Sequence, residues 1–261
     1  MQVMTIRSGS NANCILVKQK NYGILIDAGV GIRTLNSALK SADLDIDRIA
    51  AIFITHEHSD HIKGLETILK NRNIPLFANE ATLSAISDRL YFEPKSAHIL
   101  PTGSTAACPD MEVKSFRTPH DAIESVGYTV TDGVRKFSLA TDLGVMTKEV
   151  FAAIGKSHAL VLESNYDPHM LQYGPYPMML KKRIFSERGH LSNEDCAKFA
   201  AILATHGTEK IILGHLSQNN NTPELAYKST AQALIEKDIR VNSDVLLYTA
   251  SRMEASPIFE V

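Results

Sequence analysis

The sequence is poor in cysteine and has no long apolar run. Its three cysteines, Cys14, Cys108 and Cys196, are scattered and form no C-x-x-C pair. This distribution argues against a disulfide framework or a thiolate zinc knuckle and is typical of a reducing compartment. No stretch approaches the roughly 18 apolar residues of a membrane span. The first residues also lack the basic and apolar regions of a signal peptide, so we expect a soluble, cytoplasmic protein without a membrane partner.

An excess of positive charge is missing as well. Lys and Arg number 27 against 29 Asp and Glu, a formal net charge of −2. Bulk charge therefore does not predict nucleic-acid binding, although a bound metal pair would add positive charge that this count omits. With 261 residues, 44% of them hydrophobic, the chain has room for a sizeable core.

A third glycine is missing from Gly29-Val30-Gly31, so the dinucleotide-binding pattern G-x-G-x-x-G is excluded. Hydrophobic periodicity predicts strands near 3–9, 14–19, 23–29, 49–55, 74–78, 111–118, 125–132, 134–142, 159–164, 210–217 and 244–250. Helices are predicted at 32–40, 62–73, 79–90, 147–156, 170–188, 192–207 and 223–238, with a break at 173–177 and caps at Asn79 and Ser192. No linker divides the chain. We therefore expect one α/β domain over residues 1–261, with two mixed sheets face to face and helices outside.

A dense polar segment follows one predicted buried strand. Residues 56–61 read His-Glu-His-Ser-Asp-His. Imidazoles and carboxylates are costly to crowd together unless something coordinates or neutralises them. Alternate side chains of an extended segment point the same way, so His56 and His58 can bind one cation. Asp60 and His61 lie where the next helix begins and can turn towards a second cation.

Two metals need further ligands, which a rigid sheet can supply at its strand ends. His120 comes just after a predicted strand, and Asp142 and His215 lie at or near the end of theirs. The expected grouping is His56, His58 and His120 at one metal, Asp60, His61 and His215 at the other, and Asp142 bridging the two.

Simpler explanations exist for parts of this set. The segment could be a solvated polar loop, Asp60 could serve only as a helix cap, and a lone strand-end His or Asp is more often structural. Within the segment, Glu57 and Ser59 are expected to point outward.

Taken in order, the H-x-H-x-D-H loop and the later His, Asp and His resemble the metallo-β-lactamase superfamily over nearly the full chain. The resemblance implies an αβ/βα four-layer sandwich with two divalent metals at one edge. Zn²⁺, Mn²⁺ and Fe²⁺ all suit His and carboxylate ligands. It also implies that Asp27 supports the segment 56–61 from behind. The alternative is that Asp27 is only a turn residue ahead of Gly29.

A second resemblance indicates which residue could act as the general acid. His190, in Gly-His-Leu-Ser, looks like the Gly-His-Ser-Thr segment of the tRNase Z and phosphodiesterase branch, whose His contacts the scissile phosphate. Glu163 resembles the acidic residue that orients this His. A carboxylate-held His is a suitable general acid for the leaving alkoxide, while the metals activate a water. The predicted catalytic residues are therefore His190, Glu163 and Asp60; the alternative for His190 is a loop residue that caps a helix.

Further motifs narrow the resemblance. The segments SGSNANC, THEHSDHIKG, ESNYDPHML, GPYPMMLKKRI, RGHLSNED and GHLSQNNNTPELA are similar to the YycJ (WalJ) type of bacterial metallohydrolase. That resemblance implies a 5′ to 3′ DNA exonuclease linked to DNA repair. One departure is that Ser10 is followed by Asn11, Ala12 and Asn13, where the family usually has Ser-Gly-Asn. The lost glycine restricts a loop expected to line the cleft.

Several segments are predicted to contact the substrate. They comprise Ser8, Gly9, Ser10 and Asn13 as phosphate donors, Lys181, Lys182 and Arg183 along a DNA backbone, Asn219 and Asn220 at the cleft, and Tyr173 and Tyr176 as stacking residues. The alternatives are an ordinary turn for the first group, a solvated helix face for the basic run and simple packing for the two tyrosines.

Two other functions fit the same residues. One is hydrolysis of a small phosphodiester such as a cyclic nucleotide. The other is a non-catalytic DNA-repair adaptor, against which the intact ligand set argues. A β-lactamase is least favoured, because Asp142, Glu163 and His190 serve no evident purpose in amide hydrolysis.

Overall fold

The computed structural model describes residues 1–89 and 94–261, so Leu90, the last residue of one predicted helix, lies outside them. The strands are β1 Gln2–Arg7, β2 Cys14–Gln19, β3 Tyr22–Ile26, β4 Ile49–Phe53, β5 Leu76–Ala78, β6 Ala97–Ile99, β7 Thr105–Cys108, β8 Met111–Arg117, β9 Val126–Thr131, β10 Lys136–Ala140, β11 Ala159–Glu163, β12 Lys210–Gly214, β13 Leu246–Thr249 and β14 Phe259–Glu260. The longer strands agree with the predicted ones; β6, β7 and β14 were not predicted.

The helices are α1 Ile32–Ser41, α2 Ser59–Ile62, α3 Leu65–Leu69, α4 Glu80–Ser87, α5 Lys148–Ile154, α6 Pro168–Tyr173, α7 Met178–Phe185, α8 Asn193–Thr205 and α9 Pro223–Ile235, with a 3₁₀ turn at Ile46–Arg48. Asn79 and Ser192 cap α4 and α8 through their side chains, as predicted. The helix predicted over 62–73 is instead two short helices that meet at Gly64. Within the described ranges, none of the helices has the length and apolar character needed to cross a membrane.

The strands form two mixed sheets. The order is β14-β1-β2-β3-β4-β5-β6 in the first sheet and β13-β12-β11-β10-β9-β8-β7 in the second. In the first sheet β3 to β6 run parallel, and in the second β10 to β13 do. The predicted α/β class with two mixed sheets is confirmed.

Three apolar clusters hold the layers together. Ile26 and Phe53 of the first sheet pack against Val113 and Tyr128 of the second. A second cluster joins the outer face of the first sheet to α1, α3 and α4, and a third joins the second sheet to α5, α8 and α9. The helices therefore cover the outer faces, as predicted, and the two sheets bury their inner faces against each other.

Sharp turns end the strands that lead to the polar residues. Asp27, Asp142 and His215 have φ values of 63°, 55° and 55° and come directly or almost directly after β3, β10 and β12. Asp and His enter this left-handed region more readily than most residues, although it remains strained. The turns project all three side chains at the same edge of the sandwich.

Candidate active site

The predicted metal ligands come together at this edge. His56 and His58 follow β4, Asp60 and His61 lie in α2, His120 follows β8, Asp142 follows β10 and His215 follows β12. Ligand atoms of His56, His58 and His120 lie within 4.8 Å of one another, and the same holds for Asp60, His61 and His215. These are the two groups that the spacing predicted.

Asp142 lies between the two groups. One carboxylate oxygen, Oδ1, is 3.5 Å from Nε2 of His120 and 3.5 Å from Nε2 of His215. Its Oδ2 is 3.4 Å from Nε2 of His61. The carboxylate therefore faces ligand atoms of both groups, which is the placement that a bridging ligand requires.

Several buried polar atoms at this edge have no hydrogen-bond partner among the described residues. They are Nε2 of His56, Nε2 of His120, Nε2 of His215 and Oδ2 of Asp142. Buried polar atoms are rarely left without a partner, because the loss of water is then uncompensated. Imidazole nitrogens and carboxylate oxygens are common ligands of divalent transition metals, so the residues present fit such ions.

Asp27 and Thr55 orient two of the imidazoles. Asp27 accepts a hydrogen bond from Nδ1 of His61 at 2.7 Å and others from the backbone NH and hydroxyl of Thr55. The Thr55 hydroxyl in turn lies 2.9 Å from Nδ1 of His56. With each Nδ1 engaged, Nε2 is the nitrogen of each ring that can bind a cation, the usual arrangement behind metal-binding histidines. Nε2 of His56 has no hydrogen-bond partner among the described residues, whereas Nε2 of His61 lies 3.1 Å from Nδ2 of Asn13.

The other two rings are fixed in the same way. Nδ1 of His120 donates to the carbonyl oxygen of Gly189 at 3.0 Å. Nδ1 of His215 lies 2.9 Å from Oε1 of Glu163. Each Nε2 therefore points towards the shared polar edge.

Glu163 also holds His190. Its Oε1 is 2.8 Å from Nδ1 of His190, while its Oε2 accepts the backbone NH groups of Leu143 at 2.7 Å and Leu191 at 3.3 Å. The predicted pair of Glu163 and His190 is thus present as a direct contact. The His190 side chain is 17% exposed and can reach a ligand, whereas Glu163 is fully buried.

Burial and neighbouring histidines lower the pKa of two imidazoles in the first group. Burial lowers the pKa of His56 well below its ordinary value, and the nearby rings of His61, His120 and His58 lower it further. Burial also lowers the pKa of His58. Both imidazoles are therefore neutral near pH 7 and present free electron pairs.

Carboxylates set the charge of the second group. Burial opposes protonation of His61 and His215, but Asp27, Asp60 and Asp142 raise the pKa of His61 well above its usual range. For His215, Asp142, Asp60 and Glu163 outweigh burial and raise the pKa to about 10. Burial alone would raise the pKa of Asp60, but its contacts with His61 and His215 hold this pKa well below the ordinary value.

The N-terminal loop supports the site from within. Asn13 donates through Nδ2 to Oδ2 of Asp60 at 3.0 Å and to the carbonyl oxygen of Gly9 at 3.0 Å, and Ser8 accepts the backbone NH of His215 at 2.9 Å. Both amide hydrogens of Asn13 are thereby engaged within the protein, and its predicted contact with substrate phosphate stays a prediction. Ser10 is exposed, and its predicted substrate contact stays a prediction.

The changed loop sequence causes no conformational conflict. Among the described residues, those with positive φ do not include Ser10, Asn11 or Ala12. The loop at this point therefore does not require the glycine that the family usually carries.

The predicted outward direction of Glu57 is wrong, and the burial of Asn220 does not agree with its predicted place at the cleft. Glu57 is buried, and its Oε1 accepts a hydrogen bond of 3.1 Å from the backbone NH of Ile123. This bond joins the segment 56–61 to the loop after β8. Ser59 is exposed, as predicted. Asn220 is fully buried and cannot contact substrate in this conformation, whereas Asn219 is exposed and donates to the hydroxyl of Tyr176 at 3.0 Å.

The predicted basic run lies on α7 beside the site. Arg183 forms an ion pair with Asp121, which directly follows His120, and Lys181 donates to the carbonyl oxygen of Gln172 at 2.8 Å. Lys182 is exposed. Asp121 was not predicted as a site residue, although it directly follows His120 in the sequence. Its Oδ1 lies 3.3 Å from Nε2 of His120.

The chain is similar to known proteins in sequence and in fold. Residues 22–216 match the family model of the beta-lactamase superfamily domain. Exodeoxyribonuclease YycJ of Bacillus anthracis is 38% identical over 237 residues, covering 90% of this chain and 90% of that protein. Exodeoxyribonuclease WalJ of Streptococcus pneumoniae is 34% identical over 261 residues, covering 98% and 96%. The solved metallo-beta-lactamase fold protein YhfI of Bacillus subtilis superposes with a TM-score of 0.73 at 14% identity and covers 98% of both chains, a likeness that concerns the fold alone.

The expected metallo-β-lactamase sandwich is therefore confirmed, and the chain carries the clusters of His and Asp that its fold uses for divalent metals. The chain belongs to the beta-lactamase superfamily and, within it, to the family of the YycJ and WalJ proteins, and it is a metal-dependent hydrolase.

Proposed function

We propose that this protein is a dinuclear metal-dependent exonuclease that removes nucleotides from DNA in the 5′ to 3′ direction, in the cytoplasm and in the service of DNA repair. The observation that carries the chemistry is the contact of 2.8 Å between Glu163 and His190 beside the ligand groups. The names of the YycJ and WalJ relatives, both exodeoxyribonucleases, support DNA as the substrate.

We assign His56, His58 and His120 to one metal, Asp60, His61 and His215 to the other, and Asp142 to both. Zn²⁺ and Mn²⁺ are the proposed ions, and Fe²⁺ suits the same donors. When bound, such ions lower the pKa of an attacking water and offset the negative charge of the phosphate.

His190 then acts as the general acid. Its Nδ1 is held by Glu163, so Nε2 is the nitrogen that can give a proton to the leaving sugar oxygen. Burial alone would raise the pKa of Glu163, but His190 and His215 hold it well below the ordinary value. The resulting carboxylate balances the positive charge of protonated His190 and keeps the ring in place.

The test is hydrolysis of linear double-stranded DNA labelled at its 5′ end, with Mn²⁺ or Zn²⁺ added. Early release of labelled mononucleotide by the wild type, and none by Asp142→Ala, supports a metal-dependent exonuclease of the stated polarity. Release that begins at the other end would overturn the polarity. Cleavage of bis-p-nitrophenyl phosphate without any action on DNA would replace the DNA substrate by a small phosphodiester.

A further inference from the structure

The outer face of α7 carries apolar and basic side chains that the proposed chemistry does not use. Met178 is 66% exposed and Met179 is 86% exposed. Lys182 and Arg183 follow four residues later, so each lies next to one of the methionines on the helix surface. Tyr173, at the end of α6 and five residues before Met178, is 69% exposed, and one side of its ring lies against the ring of His169 with the centroids 4.6 Å apart. Single exposed apolar residues are ordinary, but a cluster of them usually marks an interaction surface.

The opposite face of the same helix is firmly seated. Ile184 packs with Tyr166 and Leu171 in a small buried cluster, and Leu180 packs against it. The helix is therefore fixed to the body of the protein, and its exposed side chains are held outward.

Both ends of the segment 173–185 are joined to loops of the metal site. Nη2 of Arg183 donates to Oδ1 of Asp121 at 3.1 Å, immediately after His120. Near the other end, the Tyr176 hydroxyl accepts a hydrogen bond of 3.0 Å from Asn219 in the loop after β12. These two hydrogen bonds place the segment beside the loops that carry His120 and His215.

We propose that Tyr173, Met178, Met179 and Lys182 form a platform for an unpaired nucleic-acid strand whose terminal phosphodiester lies at the metal site. The proposal rests on the exonuclease function proposed above. Phosphates complement Lys182, and bases can stack on the tyrosine ring and pack against the polarisable methionine sulfurs. Because a duplex keeps its base faces stacked internally, this surface favours a single strand over a duplex.

The test measures the affinity of the metal-loaded enzyme for a fluorescent oligo-dT whose phosphorothioate linkages resist cleavage. A combined Tyr173→Ala, Met178→Ser, Met179→Ser variant should bind it more weakly by a factor on the order of ten or more, since each stacked base contributes about that much. Lys182→Glu, a single exposed change, should also weaken binding and should raise no question of folding. Affinity for a blunt duplex of equal length should change much less.

Two matched controls lie at the far end of the second sheet. Val134 is 81% exposed in the turn before β10, whereas Asp142 follows the other end of that strand. Lys237 is exposed after α9, on the way to the start of β13. Val134→Ser and Lys237→Glu should bind oligo-dT like the wild type.

The outcomes separate the two proposals. If the wild type digests DNA but the platform variants bind oligo-dT as tightly as the wild type does, the platform is wrong and the exonuclease stands. If the wild type neither binds nor digests DNA, both are wrong. If the variants instead lose affinity for vesicles of phosphatidylcholine and phosphatidylglycerol while oligo-dT affinity is unchanged, the face binds a lipid surface and the platform is overturned.

Discussion

One oxygen of Glu163, Oε1, lies 2.8 Å from Nδ1 of His190 and 2.9 Å from Nδ1 of His215. A single buried carboxylate therefore orients both the proposed acid and a proposed metal ligand. From the sequence, the contact with His190 was expected and that with His215 was not.

Substituting Glu163 should therefore affect two properties at once. Glu163→Gln should weaken metal binding by about 10- to 100-fold, as is usual for a residue behind a metal-binding histidine. It should also slow DNA hydrolysis at saturating metal, because the Gln side chain no longer balances the charge of His190. Metal affinity by competition with a chelator and the rate at saturating metal measure the two effects separately. Loss of only one of them would show that the carboxylate serves only one histidine.

Substituting His190 should affect the rate alone. His190→Ala should keep the full metal content and slow DNA cleavage by about 10²–10⁴-fold, the usual contribution of a general acid. Bis-p-nitrophenyl phosphate has a leaving group that needs little protonation, so its hydrolysis should fall much less. A variant that loses metal would identify His190 as a ligand, and an equal loss on both substrates would remove its role as an acid.

Gly29 packs closely against the backbone of Asp60, and a side chain at this position should displace the segment 56–61. A Cβ atom there would lie 1.7 Å from the carbonyl oxygen of Asp60, whereas a Cβ at Gly31 would meet nothing within 4 Å. Gly29→Ala should lower the free energy of unfolding by about 1–3 kcal/mol or more and reduce metal content, because Asp60 must move. Gly31→Ala, the matched control, should stay within about 0.5 kcal/mol of the wild type. Urea denaturation and elemental analysis measure both; equal behaviour of the two variants would contradict the crowding.

Metal binding should release protons. The pKa of His215 is raised to about 10 and that of His61 is raised as well, so both rings are protonated in the metal-free protein at pH 7.5. A metal takes the deprotonated ring, so protons leave and affinity increases with pH. Calorimetric titrations in two buffers of different ionisation enthalpy should give different apparent enthalpies. Identical enthalpies would mean that the rings were already neutral.

The same shifts predict how the stability of the metal-free protein depends on pH. A raised histidine pKa stabilises the folded state fully below the unfolded-state value of about 6.5, and this contribution is lost as the pH rises through the folded-state value. For His215 that value is about 10, so the contribution falls between roughly pH 6.5 and 10. Thermal denaturation of the chelated protein should show a Tm that decreases over this interval. In His215→Gln the decrease should be smaller, and an unchanged slope would contradict the shift.

Local sequence patterns predicted the site residues that lie at the end of a single strand. His120, Asp142 and His215 follow β8, β10 and β12, and parallel or neighbouring strands bring their ends to one edge. The pairing of Glu163 with His190 came from a resemblance in motif, and the contact is present.

Features that depend on distant parts of the chain were not predictable in this way. Glu57 lies at an alternating position that looks solvent-facing, but Ile123 supplies a backbone NH that makes burial favourable. Asn220 was expected near the cleft because it follows His215, yet its side chain is buried. Strand β14 pairs with β1 from the other end of the chain, and its two residues carry no periodic signal of their own.

The most direct measurement is a metal titration of the chelated protein, with metal content and the release of nucleotide from 5′-labelled DNA recorded together. If Asp142 links two metal groups, two equivalents of Mn²⁺ or Zn²⁺ should bind per chain, and the rate should rise with the second equivalent. Asp142→Ala should hold less metal and release no nucleotide. Full activity at one equivalent, or activity without metal, would contradict the dinuclear site.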